Sequence, residues 1–406
     1  MTCNPRCIPP RSWRAALAVG LATAGFAFGS DLSWQNIQFG GFASQGYLKS
    51  SANDYLGNTS DATFDFREYA VNASWAAGKW RIGAQAFGQK LGYYGGDQIK
   101  LDWAMIDYQP AQWLGVRVGR VKMPRGLYNE ALDLDSVRPF VLLPQSVYDP
   151  RLRDFNASVD GGMVYGNIAA GKVGSFDYKV YVGGIKVADD SGANDYFNSD
   201  RPYYNLGMKM DSAVGGSLFW NTPIEGLRAG YSFSRFKNLS SLRSAKPSDP
   251  LQLHTKSAVE YPRHQGSVEY QRGNWTIASE YSREVGDYLV NYVNVFRQFF
   301  PKSTLEGRYL AVSRQINTRW QIGAYYDRFD EADRVFIGTG NVILKKHQYD
   351  HALSIRYDFN EHLIFKLEGH YYDGAGKILD LLTRPQPQTS LDQHWNMIAV
   401  KTTVLF

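Results

Sequence analysis

The run Tyr349-Asp350-His351-Ala352-Leu353-Ser354-Ile355-Arg356-Tyr357-Asp358-Phe359 decides the fold. Tyr349, His351, Leu353, Ile355, Tyr357 and Phe359 take one face, and Asp350, Ala352, Ser354, Arg356 and Asp358 take the other. A strict period of two is the mark of a β-strand with one apolar and one polar side. The same pattern recurs elsewhere in the chain. Trp320, Ile322, Ala324 and Tyr326 alternate with Gln321, Gly323, Tyr325 and Asp327, and Leu227, Ala229, Tyr231 and Phe233 alternate with Arg228, Gly230, Ser232 and Ser234. A soluble sandwich hides the apolar faces between two sheets and wets the polar ones. A membrane barrel turns the apolar face to lipid and the polar face to a wet lumen. Periodicity alone does not separate the two.

The N-terminus and the composition do. Arg6, Arg11 and Arg14 precede the short apolar run Ala15 to Phe28, and Ala27 and Gly29 have the small-residue spacing of a signal-peptide cleavage site. Residues 1–29 therefore read as a cleaved signal peptide and 30–406 as one barrel. Both cysteines, Cys3 and Cys7, lie in the leader, so thiolate catalysis, cysteine metal sites and disulfides are not expected of the mature chain. The net charge of +5 falls to +2 without the leader's three arginines, which gives no reason to expect nucleic-acid binding. Aromatic residues are abundant, and Trp34, Trp75, Trp80, Trp113, Trp275, Trp320 and Tyr357 sit at the ends of alternating runs, where a headgroup girdle belongs.

The spacing predicts all-β architecture: a transmembrane antiparallel up-and-down barrel of about 16 strands. Candidate strands are 34–48, 63–77, 79–90, 99–109, 113–121, 158–170, 173–184, 205–220, 226–237, 263–272, 274–285, 304–315, 318–330, 347–359, 362–373 and 393–406. Tight turns such as Ala77-Gly78-Lys79 alternate with long connections at 49–62, 185–204, 238–262, 286–303, 331–346 and 374–392, matching periplasmic and extracellular ends. Ile398, Val400, Val404 and Phe406 share a face of the last strand, and that ending resembles the signal read by the barrel assembly machinery.

One stretch breaks the pattern: KMPRGLYNEALDLDSVRPFVLLPQSVYDPRLRDFNASV, residues 122–159. Four prolines forbid a continuous strand or helix. Its apolar run Phe140 to Leu143 argues against a disordered linker. An insert of this length is a functional loop, and residues 122–157 are expected to fold into the lumen and narrow it. Candidate constriction residues are Lys122, Arg125, Glu130, Asp133, Asp135, Arg138, Arg151 and Arg153. Lumen-wall candidates are Arg81, Arg117, Lys179, Arg228, Arg356 and Lys366, with Lys401 beside them and Asp177, Glu269, Glu280, Asp327, Asp350 and Glu368 opposing. Basic and acidic groups on opposite walls would set a transverse field, and rings of one sign would select ions. Each charge has a second reading as half of an ion pair that pins the loop. Phe140 to Leu143 reads as packing against the wall, and so do Tyr128 and Tyr148, whose other reading is a stacking surface.

The arrangement resembles the general trimeric porins, with the longest insert after the fifth strand. Residues 118–127, VGRVKMPRGL, resemble a strand-to-loop junction of the phosphate-selective porins. The resemblance implies a water-filled outer-membrane channel of a Gram-negative bacterium for small hydrophilic solutes or ions. Its partners would be outer-membrane lipid and lipopolysaccharide, the barrel assembly machinery and two further copies in a homotrimer, with no cofactor and no metal. A closed docking barrel and an anion- or sugar-specific channel are the alternatives. A barrel hydrolase is less favoured, because no histidine stands at a recognisable triad or zinc spacing.

Overall fold

The computed structural model describes residues 36–187, 191–197, 204–337, 340–378 and 391–406. The expected signal peptide, 1–29, lies outside the described residues. The alternating segments form one closed antiparallel sheet of sixteen strands. They are β1 (Ile37–Ser50), β2 (Phe66–Ala77), β3 (Trp80–Leu91), β4 (Lys100–Ala111), β5 (Leu114–Lys122), β6 (Ser158–Ala169), β7 (Ser175–Gly184), β8 (Tyr204–Lys209 and Ser212–Asn221), β9 (Leu227–Ser244) and β10 (Leu253–Arg272). They continue as β11 (Trp275–Asp287 and Leu289–Tyr292), β12 (Gln298–Phe299 and Lys302–Gln315), β13 (Trp320–Ile337), β14 (Gly340–Asp358), β15 (Leu363–Asp373) and β16 (His394–Leu405). The edges close on each other: β1 pairs with β16 from Phe42 opposite Leu405 to Ser50 opposite Met397. The described sheet thus closes on itself without an open edge, which is what hydrocarbon surroundings demand.

The faces point as a membrane requires. On β14 Leu353 is 70% exposed, while its neighbours Ala352 and Ser354 are buried. On β15 Leu367 is exposed, while Lys366 and Glu368 are both 0% exposed. A sandwich would show the reverse. Outward-facing Trp80, Trp113, Trp275 and Trp320 line the tight-turn end of the barrel.

Several expected boundaries move. The expected loops 238–262 and 331–346 are for the most part strand among the described residues: β9 and β10 run on to Ser244 and from Leu253, and β13 and β14 pair in register through Glu331 opposite Lys346. Backbone pairing continues past the apolar band, where hydropathy no longer marks it. The 286–303 connection likewise holds short strand pieces at Leu289–Tyr292 and Gln298–Phe299, and the expected strand 205–220 is interrupted at Met210 and Asp211. The segments 99–109 and 304–315 alternate poorly in the sequence, yet 304–315 proves regular, with alternate residues from Ser303 to Gln315 facing inward. In 99–109 the cause is a bulge. Gln85 faces Trp103 but Ala86 faces Leu101, so Asp102 is the extra residue and its side chain is turned inward, 3% exposed.

Candidate constriction loop in the barrel lumen

The insert between β5 and β6 lies inside the barrel. Prolines keep it from joining the sheet, so it folds as short turns: 3-10 turns at Asn129–Ala131, Asp135–Val137 and Pro150–Leu152, then a single helical turn, α1, at Arg153–Asn156. Its entry is a glycine turn. Gly126 has φ +56, and a Cβ there would lie 2.0 Å from Gln265 Nε2 and 2.4 Å from Glu280 Oε1, so the loop backbone is pressed against β10 and β11.

The apolar run seals the loop to the wall. Phe140 packs edge-on to Tyr325 at 5.0 Å, and Val141 and Leu142 join Leu48, Tyr55, Tyr372 and Trp395 in a buried cluster. Phe140 to Leu143 are all buried. Tyr148 is buried too, its ring 5.7 Å from Tyr128 and its hydroxyl donating to Glu280 at 2.5 Å. The inner wall accepts the loop backbone through carboxylates. Glu368 takes the N–H groups of Val141 and Leu142 at 2.9 Å each, Asp327 takes that of Ser146 at 2.9 Å, and Glu280 takes that of Leu127 at 2.9 Å. Gly307 leaves room for the contact, since a Cβ there would meet the Ser146 carbonyl at 2.3 Å.

The expected constriction charges fall into clusters. Lys122, Asp133 and Arg153 meet at the bulged Asp102. Lys122 Nζ is 2.8 Å from Asp102, Arg153 is 2.8 Å from Asp102 and 2.6 Å from Asp133, and Lys122 also bonds Asp133. Asp135 centres a second group. Lys366 is 3.0 Å away, Lys401 3.4 Å and Arg138 3.6 Å, and Thr403 donates to it at 2.8 Å. Arg151 pairs with Asp149 at 2.6 Å, and Lys377 joins that carboxylate at 2.9 Å. Glu130 pairs with Lys179 of β7. Arg125 stands apart. It is buried, donates to the Val147 carbonyl at 3.0 Å, lies 5.4 Å from the Tyr148 ring, and its Nε has no partner.

These settings perturb the loop's ionisable groups. Burial alone would raise the carboxyls of Asp133, Asp135 and Asp149. Arg153 and Lys122 outweigh it at Asp133, Lys366 and Lys401 at Asp135, and Arg151 and Lys377 at Asp149, so all three stay well below the usual carboxylate range. Burial, with Arg263 nearby, pulls the Arg125 guanidinium down to about 10.

The wall candidates face inward. Arg117 pairs with Asp107 at 2.9 Å, Arg228 with Glu269 at 3.2 Å and Arg356 with Asp358 at 2.7 Å, and Arg356 also donates to the loop carbonyls of Ser136 and Arg138. Arg81 is half-buried and makes no ion pair among the described residues. Sequence reading missed Asp102 and Lys377. The lost alternation over 99–109 is the one signal that could have flagged Asp102, and Lys377, in a long connection, carried none.

No family model matches the chain, and no curated protein matches it by sequence. Solved structures do match in shape. OmpT, an outer membrane protein of Vibrio cholerae, aligns with TM-score 0.53 at 12% identity over 91% of this chain and 97% of that one. The outer membrane channel DcaP of Acinetobacter baumannii aligns with TM-score 0.54 at 10% identity, covering 94% and 100%. An anion-selective porin from Comamonas acidovorans aligns with TM-score 0.50 at 10% identity, covering 91% and 99%. The likeness of residues 118–127 to phosphate-selective porins remains an expectation of the sequence. The chain has the sixteen-strand fold of the bacterial outer-membrane porins.

Proposed function

We propose that the chain is an outer-membrane porin of a Gram-negative bacterium, a passive channel for small hydrophilic solutes or ions whose passage is limited by residues 122–157. The observation that carries this reading is the pair of opposite faces: exposed apolar side chains outside, charged ones inside around a folded-in loop. Lys122, Arg125, Glu130, Asp133, Asp135, Arg138, Arg151 and Arg153 set the constriction in this reading, with Arg81, Arg117, Lys179, Arg228, Arg356 and Lys366 on the wall. Arg81, which makes no ion pair among the described residues, tips the selectivity toward anions in this reading, a preference that one neighbour's description shares. A homotrimer is part of the proposal, in keeping with a trimer form of Vibrio cholerae OmpT among the neighbours.

A second reading, a sealed docking barrel, draws on the loop itself, which bonds to β4 through Asp102, to β7 through Lys179, to β11 through Glu280 and to β15 through Lys366 and Glu368. Reconstitution into planar bilayers separates the two. A porin gives stepwise ohmic currents and a non-zero reversal potential in a salt gradient, and a sealed barrel gives neither. Neutralising Arg125 together with Arg138 should move the reversal potential toward cation preference, and an unchanged value would remove both from the selectivity filter.

A further inference from the structure

Above the loop, on the long-connection side, lies an apolar cavity inside an otherwise polar lumen. It encloses about 60 Å³, several times the space one water needs. Its floor belongs to the loop, Leu152 and Phe155, and its walls bring together Phe197, Tyr261 and Tyr288 with Leu305. The rings are held against one another: Phe197 stands edge-on to Tyr288 at 5.4 Å, and Tyr261 lies nearly parallel to it at 6.4 Å.

The charges around the cavity are not equivalent. Arg263 is held by Glu284 at 2.7 Å and by Asn156 at 2.6 Å. Lys256 donates to the Phe197 carbonyl at 2.7 Å and lies 4.4 Å from the Tyr288 ring, which shows that ring face already accepting an ammonium. On β13, Glu331 and Asp333 line the cavity from the same face of the strand. Neither carboxyl forms an ion pair with a lysine or arginine among the described residues, and Lys346 lies across the hairpin from Glu331.

We infer that this cavity is a binding subsite for a small organic ammonium with an aromatic body, its ring among Phe155, Tyr261 and Tyr288 and its cation against the carboxyls of Glu331 and Asp333. The ring faces attract positive charge, and Glu331 and Asp333 are the lining carboxyls that form no ion pair among the described residues, whereas Glu284 is held by Arg263. An aromatic carboxylate fits worse, because Arg263 and Lys256 are already engaged. Since the loop supplies the floor, the occupant would sit on the outer face of the barrier.

Calorimetry on the full chain in detergent micelles tests this with three probes of one shape: phenethylammonium, 2-phenylethanol and phenylacetate. The ammonium should bind about tenfold tighter than the alcohol. Glu331→Gln with Asp333→Asn should erase the preference while leaving the alcohol's affinity in place. Tyr288→Ala should weaken ammonium and alcohol alike. The inference is overturned if phenylacetate binds as tightly as the ammonium, if no probe binds the wild-type chain, or if the carboxamide variant, checked for intact heat-modifiable mobility, keeps the preference.

Discussion

Replacing Asp135 by Asn tests whether the loop is latched by charge. The carboxylate faces Lys366 at 3.0 Å, Lys401 at 3.4 Å and Arg138 at 3.6 Å, and both lysine side chains are 0% exposed. Asn can keep the Thr403 hydrogen bond but supplies no charge, so Lys366 would retain only the carbonyls of Asp135 and Phe140. Breaking one partner of a buried pair costs about 3–5 kcal/mol. Lumenal water relaxes part of that, which favours the low end, about 3 kcal/mol or roughly a hundredfold in the docking equilibrium. The apolar run opposes release. Four buried side chains, Phe140 to Leu143, at about 1.5–3 kcal/mol each exceed the lost latch, even as an upper estimate. The loop should therefore stay docked on average and undock about a hundred times more often, seen in single-channel records as brief high-conductance openings. Asp135→Asn with Lys366→Met removes the closest pair, leaving Lys401 held by Glu68 at 2.6 Å, and should return the openings toward wild type, because losing a whole buried pair is far cheaper than orphaning one charge. The reasoning fails if the single variant gates like wild type, or if the double variant is as leaky as the single one while both barrels remain heat-modifiable.

Gly307→Val should push the loop from the wall without altering charge, because the new Cβ meets the Ser146 carbonyl at 2.3 Å, and larger mean conductance from a folded barrel is the readout. Leu353→Arg puts a charge on the lipid face at mid-strand, where about 2–4 kcal/mol is lost, so the urea midpoint in lipid vesicles should fall while the inward Ser354→Arg leaves lipid insertion intact. Arg125→Met should hold or raise that midpoint, since the guanidinium is buried with an orphan Nε and no paired carboxylate. For Asp133, Asp135 and Asp149 the folded carboxyls lie below their unfolded value near ~4, so their contribution is complete above that value and is lost only as pH falls through the depressed ones. Acidifying the wild-type channel from about pH 7 to pH 5 should accordingly not reproduce the Asp135→Asn openings.

Much of this was readable in the sequence, because alternation is a local signal. Leu353 beside Ser354 already says that one side chain points to lipid and the next to water, and the prolines of 122–157 already say that this stretch cannot enter the sheet. What could not be read is pairing across the chain. Asp135 and Lys366 stand 231 positions apart in the chain, and no spacing rule joins them. Arg125 and Arg151 look alike in sequence, yet one is held by Asp149 and the other by a single carbonyl. Asp102 was hidden for another reason. A bulge inserts one residue and inverts the local pattern, so the breakdown of periodicity at 99–109 was itself the trace of that bulge.

The loop also resolves an apparent conflict between an apolar run and a wet lumen. Phe140 to Leu143 lie on the face of the loop turned to the wall, where inward aromatics such as Tyr325 and Tyr372 wait among the charges. Hydrophobic burial is non-directional, so it holds the loop inward without fixing where each turn sits. The carboxylates do that, because Glu368, Asp327 and Glu280 accept particular backbone N–H groups. Removing apolar contact should therefore free the loop, whereas removing a carboxylate should leave it docked in more than one register, and a spread of conductance levels rather than one higher level is the signature of that difference.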